Sequence, residues 1–261
     1  MGYVIIFPLG INNQLIIAYT MSVFPISQPI VVITGATGGL GTELVRAYIR
    51  AGCLVFGIYH SSEIQACSLM TKWPEQVRMV RADIRCRCQL EDAAQKLRLL
   101  WSRVDILIHN AGIMHDALLI RQREEQWDDV MSVNLTGAFH ALRIFAAFMD
   151  KGGHVVNISS YSGLKGKRGQ AAYSASKAAL FGLTRTAAAE FGQLGVCVNA
   201  VLPGYLPLGM GPKAAEAALE AQSDSMLGRL SDPVEVAEFI CHLTRMRSVT
   251  GQIFCLDSRI I

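Results

Sequence analysis

Ile30-Val31-Val32-Ile33-Thr34-Gly35-Ala36-Thr37-Gly38-Gly39-Leu40-Gly41 runs from a β-branched stretch into a glycine-rich turn, and Glu43 to Ala51 follows with helical spacing closed by Gly52. Branched residues favour a strand and three-to-four spacing favours a helix, so the segment spells strand, turn, helix. Short apolar runs recur at Leu54–Tyr59, Val77–Val80, Ile106–Ile108, Val155–Ile158, Val196–Val201 and Ile253–Leu256. Between most of them lie helical spacings, over Gln89–Leu100, Trp127–Phe148, Gln170–Phe191 and Pro233–Leu243. The last opens on a helix start, with Asp232 as N-cap, Pro233 in the first turn and Glu235 placed to close a capping box. Strands apolar on both faces that alternate with helices imply a parallel sheet covered on both sides. The expected fold is therefore a doubly wound parallel α/β sheet, a Rossmann fold, with about seven strands and helices on both faces.

A length of 261 residues suits one such domain. The chain is 51% apolar and 17% charged, which excludes a largely unfolded protein. Its 24 basic and 21 acidic residues give a net charge of +3, too balanced for a nucleic-acid binder, and none precedes Glu43. Residues 1–28 read as an N-terminal extension to a domain spanning 29–261. Its apolar runs, Val4–Phe7 and Leu15–Tyr19, are broken by Pro8, Gly10 and Asn12–Gln14. They fall short of the ~18–20 apolar residues of a spanning helix, so no stable membrane insertion is expected. No positive charge precedes them as in a secretory signal. The seven cysteines read as reduced thiols of a cytoplasmic protein. Cys86 and Cys88 have no second ligand cluster at zinc spacing, so no metal is expected.

Chemistry concentrates at a few positions. The turn Gly35-Ala36-Thr37-Gly38-Gly39-Leu40-Gly41 sits between first strand and first helix, where glycines let a pyrophosphate approach the backbone and the helix N-terminus faces its charge. At the end of the second strand stands Tyr59-His60-Ser61-Ser62. It lacks the carboxylate that would bind adenosine ribose hydroxyls, and His60 and Ser61 offer donors to a 2′-phosphate. NADP is favoured, with NAD the alternative. Tyr173 and Lys177, four apart, share one helix face, and Ser160 follows the strand Val155–Ile158 at the ligand-binding end of the sheet. The competing reading is a surface Tyr–Lys pair on an amphipathic helix.

Taken together these motifs resemble the short-chain dehydrogenase/reductase family over about residues 29 to 257. The matching residues are Thr34–Gly41, Asp83, Asn110-Ala111-Gly112, Asn134, Ser160, Tyr173-x-x-x-Lys177 and Pro203-Gly204. Within the family the chain is similar to 3-oxoacyl-acyl-carrier-protein reductases through residues 166–177, 198–204 and 227–251. The resemblance implies Asn134, Ser160, Tyr173 and Lys177 as the catalytic set. In that scheme Ser160 holds the carbonyl oxygen, Tyr173 exchanges the proton, and Lys177 lowers the Tyr173 pKa and binds the nicotinamide ribose, while Asn134 orders a proton-relay water. It places Asp83 and Ile84 at the adenine, lines the cofactor with Asn110, Ala111, Gly112, Pro203 and Gly204, and makes the carboxamide rely on backbone at Leu206. It also implies a homotetramer or homodimer, and a small-molecule or acyl-thioester substrate with acyl carrier protein as a candidate partner.

Several positions depart from the family pattern. Gly38 stands where many NADP-preferring relatives carry a basic residue, Leu208 where a carboxamide-binding Thr is common, and Asp257-Ser258-Arg259 where Asp-Gly-Gly is usual. Leu194 replaces a basic residue used in carrier docking; Lys151, Lys165, Lys167 and Arg168 lie near the mouth in sequence terms. The expected reaction is NADP-dependent interconversion of a ketone and a secondary alcohol, with a 3-oxoacyl thioester as the leading substrate. Other ketones or alcohols, and a catalytically silent dinucleotide-binding protein, are the alternatives. The segment Leu206–Met226 is the expected lid.

Overall fold

A computed structural model of the protein describes residues 28–208 and 215–259. The extension 1–28 therefore lies outside the described residues, save Gln28. Among the described residues, seven strands form one parallel sheet: β1 (Ile30–Thr34), β2 (Leu54–Tyr59), β3 (Val77–Arg81), β4 (Val104–His109), β5 (Met149–Ile158), β6 (Cys197–Leu202) and β7 (Ile253–Cys255). Their order is β3-β2-β1-β4-β5-β6-β7. The order reverses between β1 and β4, which pair from Val31↔Ile106 to Thr34↔His109.

The strand periodicity of two explains why β1 reads as continuously apolar. Val31 and Ile33 point into one core layer with Leu44 and Tyr48 of α1 (Gly39–Arg50) and Val236 and Ile240 of α9 (Pro233–Leu243). Ile30 and Val32 point into the other, with Leu90 and Leu97 of α3 (Arg87–Trp101), Leu142 and Phe145 of α5 (Gly137–Phe145), and Ala187 and Ala188 of α7 (Ala171–Gly192). Each fully buried Leu, Ile or Phe side chain contributes about 1.5–3 kcal/mol of transfer free energy, so both layers need covering. Helix α1 ends in a Schellman turn, in which Cys53 N–H donates to Tyr48 O and Gly52 N–H to Ile49 O, with Gly52 at φ +79°. Asp232 caps α9 by accepting from Val234 N–H at 2.7 Å.

The structure corrects several boundaries. Helix α1 begins at Gly39, four residues before the expected start, because the last two glycines of the turn already have helical backbone. The expected Trp127–Phe148 helix is instead a composite: α4 (Glu124–Met131), a π-helical turn at Ser132–Thr136, α5, and a 3-10 turn at Ala146–Phe148. By length and composition the whole run Glu124–Phe148 could cross a membrane. Its Ala138, Ala141, Leu142 and Phe145 are instead buried against the sheet. Helices α2 (Glu63–Lys72), α6 (Tyr161–Lys165) and α8 (Ala215–Ser223) have no counterpart in the sequence reading.

Candidate active site

Every strand from β1 to β6 ends at one cavity of about 990 Å³. Its wall takes Gly35, Thr37, Gly38, Gly39 and Leu40 after β1, His60 and Ser61 after β2, Asp83 and Ile84 after β3, and Asn110, Ala111 and Gly112 after β4. Ser160 follows β5, Tyr173 and Lys177 come from α7, and Pro203, Gly204, Leu206 and Leu208 follow β6. Two expected site residues stand behind this wall. Gly41 is buried against the turn, where a Cβ would lie 2.1 Å from Gly35 O. Asn134, in the π-helical turn, is fully buried.

The glycine turn is held from both sides. Gly38 N–H donates to Gly35 O at 3.0 Å, and Asn110 Nδ2 donates to Thr34 O and Gly35 O at 3.2 and 3.0 Å. Thr34 Oγ1 accepts the N–H groups of Asn110 and Ala111, each at 3.1 Å. Its own proton is then free for His109 Nδ1 at 3.2 Å, which places the imidazole proton on Nε2. Burial, with help from the Lys177 charge, pushes His109 down to about 3, so it stays neutral. No side chain caps the start of α1 at Gly38, so its first-turn N–H groups face the cavity as an anion cradle. Those uncapped donors fit a dinucleotide pyrophosphate.

At the end of the cavity beside β2 and β3, Asp83 makes a multiple ion pair with Arg85, whose Nη1 also reaches Asp129 at 2.7 Å. Asp129 in turn meets His115 Nε2 at 3.0 Å. The Arg85 hydrogen bond, outweighing burial, holds the Asp83 carboxyl below its ordinary range. Arg81 Nε donates to His60 O at 3.0 Å, bringing a second cation beside His60 and Ser61. Arg81 and Arg85 escaped the sequence reading because no motif marks them.

At the other end, Lys177 Nζ donates to Ile158 O at 2.8 Å and lies 5.8 Å from the centre of the Tyr173 ring. Lys177 is only 3% exposed, and burial pulls it down to about 8. Burial raises Tyr173, a hydrogen bond with Ser160 counters this, and the Asp116 charge adds to it. The Lys177 ammonium is turned to Ile158 O rather than to the Tyr173 hydroxyl. Ser160 also caps α6, its Oγ accepting Ser162 N–H at 3.2 Å. Asn134 Oδ1 accepts from Ile113 N–H at 2.8 Å, and its Nδ2 donates to Ile113 O and Ser176 Oγ at 3.0 Å each. Ser159 Oγ donates to Lys177 O at 2.7 Å, anchoring α7 to the end of β5.

The mouth joins side chains from distant parts of the sequence. Arg259 ion-pairs with Asp257 and stacks 4.0 Å over the Tyr161 ring. Lys167 Nζ bonds Glu220 Oε2 of α8 at 2.7 Å, joining part of the expected lid to the rim; residues 209–214 of that lid lie outside the described residues. Lys167 and Arg168 line the cavity, whereas Lys151 does not. Lys151 sits at the start of β5 against Gly195, at the opposite end of the strand from Ser160, so nearness in sequence misplaced it.

The short chain dehydrogenase family profile matches residues 29–218. A 3-oxoacyl-[acyl-carrier-protein] reductase from Thermotoga maritima is 37% identical over 237 residues, covering 88% of this chain and 96% of that protein. An acetoacetyl-CoA reductase from Acinetobacter is 34% identical, with 88% and 96% covered. Among solved structures, a short-chain dehydrogenase/reductase from Serratia marcescens superposes with a TM-score of 0.84 at 26% identity, covering 90% of this chain and 99% of that one. A blue fluorescent protein from a metagenomic library, in complex with NADPH, superposes with a TM-score of 0.84 at 27% identity, with 88% and 97% covered. With the profile spanning most of the domain and the Ser160, Tyr173 and Lys177 positions converging on one cavity, the chain belongs to the short-chain dehydrogenase/reductase family of oxidoreductases.

Proposed function

We propose that this enzyme uses NADP to reduce a ketone to a secondary alcohol, and that its substrate is a 3-oxoacyl thioester. The observation that carries the reading is the meeting of Ser160, Tyr173 and Lys177 in the cavity that also holds the uncapped start of α1. The nicotinamide would supply the hydride. Ser160 Oγ would hold the carbonyl oxygen as negative charge develops there, and Tyr173 Oη would give it the proton. Lys177 would turn from Ile158 O toward the nicotinamide ribose, and its positive charge would stabilise the phenolate left behind. Asn134 would act from behind the wall, fixing the Ile113 backbone through which a relay water is held.

The His60–Ser61 segment supports NADP over NAD, and Arg81, bonded to the His60 carbonyl, is a neighbouring cation in favour of the same reading. The acyl-carrier-protein and CoA reductase activities named for the relatives support the thioester. Assembly as a homotetramer or homodimer belongs to the same proposal. Steady-state rates with NADPH and NADH on acetoacetyl and longer 3-oxoacyl thioesters test it. NADPH is expected to be at least about tenfold better, since one phosphate-cation pairing supplies about 1.4 kcal/mol or more. The Tyr173→Phe variant should bind the nucleotide and turn nothing over. Equal rates with NADH would overturn the cofactor reading, and nucleotide binding without turnover on any ketone would favour a silent binding protein.

A further inference from the structure

Cys86 and Cys88 stand at the start of α3 with their Sγ atoms 2.7 Å apart. Cys88 is exposed and Cys86 partly so. A disulfide bond is about 2.05 Å long, so the two sulfurs need close by only about 0.7 Å. The buried thiols of Cys53, Cys197 and Cys241 are pushed up mainly by burial, which keeps them unreactive. Cys86 differs in direction: the hydrogen bond from Cys88, then the Gln89 N–H, lowers its thiol, while Cys88 is raised. Each sulfur thus has its neighbour placed to resolve a mixed disulfide formed on it.

The pair is wired to the end of the cavity beside β2 and β3. Cys86 N–H donates to Asp83 O at 3.0 Å. Gln89, in the same first turn, accepts Asp83 N–H on Oε1 at 2.8 Å. Asp83, Ile84 and Arg85 line the cavity. A bond drawn across Cys86 and Cys88 pulls on this turn and on the backbone that sets the Asp83–Arg85 pair.

We propose that Cys86 and Cys88 form a thiol–disulfide modification site that reacts with low-molecular-weight disulfides, and that closing it weakens dinucleotide binding through Asp83 and Arg85. The Cys86 thiolate attacks one sulfur of the small disulfide, forming a mixed disulfide and expelling one thiolate, which takes a proton from water. Cys88 loses its proton to water and attacks the Cys86 sulfur, forming the Cys86–Cys88 bond and expelling the second small thiolate. Two protein thiols are oxidised and one small disulfide is reduced to two thiols.

The experiment equilibrates the full chain in buffers of reduced and oxidised glutathione, then reads peptide masses and NADPH affinity on the same samples. The peptide holding both cysteines should lose two hydrogens, the dissociation constant should rise about fivefold or more, and dithiothreitol should reverse both. Cys88→Ser and Cys86→Ser should each stop at a glutathione adduct on the remaining thiol, and neither peptide should lose two hydrogens. A wild-type peptide that keeps both thiols in oxidised glutathione alone would overturn the site, and a closed disulfide with unchanged affinity would overturn its coupling to Asp83. Reduced protein that binds no NADPH would count against the functional reading of the cavity instead, and the masses would still decide the thiol chemistry.

Discussion

Lys177 is a cation sealed inside the protein, and the cost of that burial is readable as a function of pH. Its folded value of about 8 lies below the ordinary 10.5. Below about pH 8 both folded and unfolded chains carry the proton, and the folded one holds it at full penalty. Between about pH 8 and 10.5 the folded protein sheds the proton first, so the unfolded state binds more protons and stability rises with pH. At about 1.36 kcal/mol per unit the relief is about 3 kcal/mol. Raised tyrosines such as Tyr48 act with the opposite sign at alkaline pH, because the folded state then keeps protons that the unfolded state loses. The difference between wild type and Lys177→Met isolates the lysine: in ligand-free denaturant titrations the wild type should gain on the variant from pH 8 to 10. Parallel curves would mean that the ammonium is solvated in the folded state. Tyr173 and Lys177 were legible as residues because four-residue spacing puts them on one face. Their ionisation was not, since it depends on Ile158 O and on walls supplied by distant segments.

Two glycines of the first β–α–β unit separate close packing from backbone conformation. A Cβ on Gly41 would lie 2.1 Å from Gly35 O and 3.0 Å from the Ala36 backbone, so either turn or helix must move. Gly52 has open space around it, and only its φ of +79° resists a side chain. Gly52→Ala should cost about 1–2 kcal/mol and leave nucleotide affinity alone. Gly41→Ala should cost about 1–3 kcal/mol and also weaken the nucleotide, by distorting the cradle. Urea midpoints and nucleotide titrations of both variants would check this; equal affinity losses would contradict it. The same contrast of scale governs what the sequence disclosed. Strands β1 and β2 were legible to the residue because both faces are buried and every position but Thr34 is apolar or glycine. The first half of β5 was missed because Asp150 and Lys151 are exposed. Helix α2 was missed because it buries only Ala66 and Leu69, too few to draw a stripe. The π-helical turn that carries Asn134 is a change in backbone hydrogen bonding, which leaves the side-chain pattern intact. The Arg85–Asp129 and Lys167–Glu220 pairs bridge 44 and 53 positions, beyond any local spacing.

At the scale of the molecule, exposed apolar side chains remain: Phe139 of α5 is 45% exposed, and Leu119 and Ile120 in the turn before α4 are 72% and 90% exposed. Such residues are more readily covered by a second copy than left in water. Light scattering should therefore give a dimer or tetramer mass, and Phe139→Glu should shift it downward; a wild-type monomer would contradict the proposed assembly. The strand order has a further consequence, in time rather than in space. β1 lies inside the sheet, third from one edge, yet it is made first among the described strands, and its flank opposite β2 is closed by β4, with Ile30 N–H bonded to Asp105 across 75 positions. Pairing over such separations is slow, because the chain must close a long loop before any contact rewards it. This fully buried strand must thus wait, half-covered, until Val104–His109 has been made.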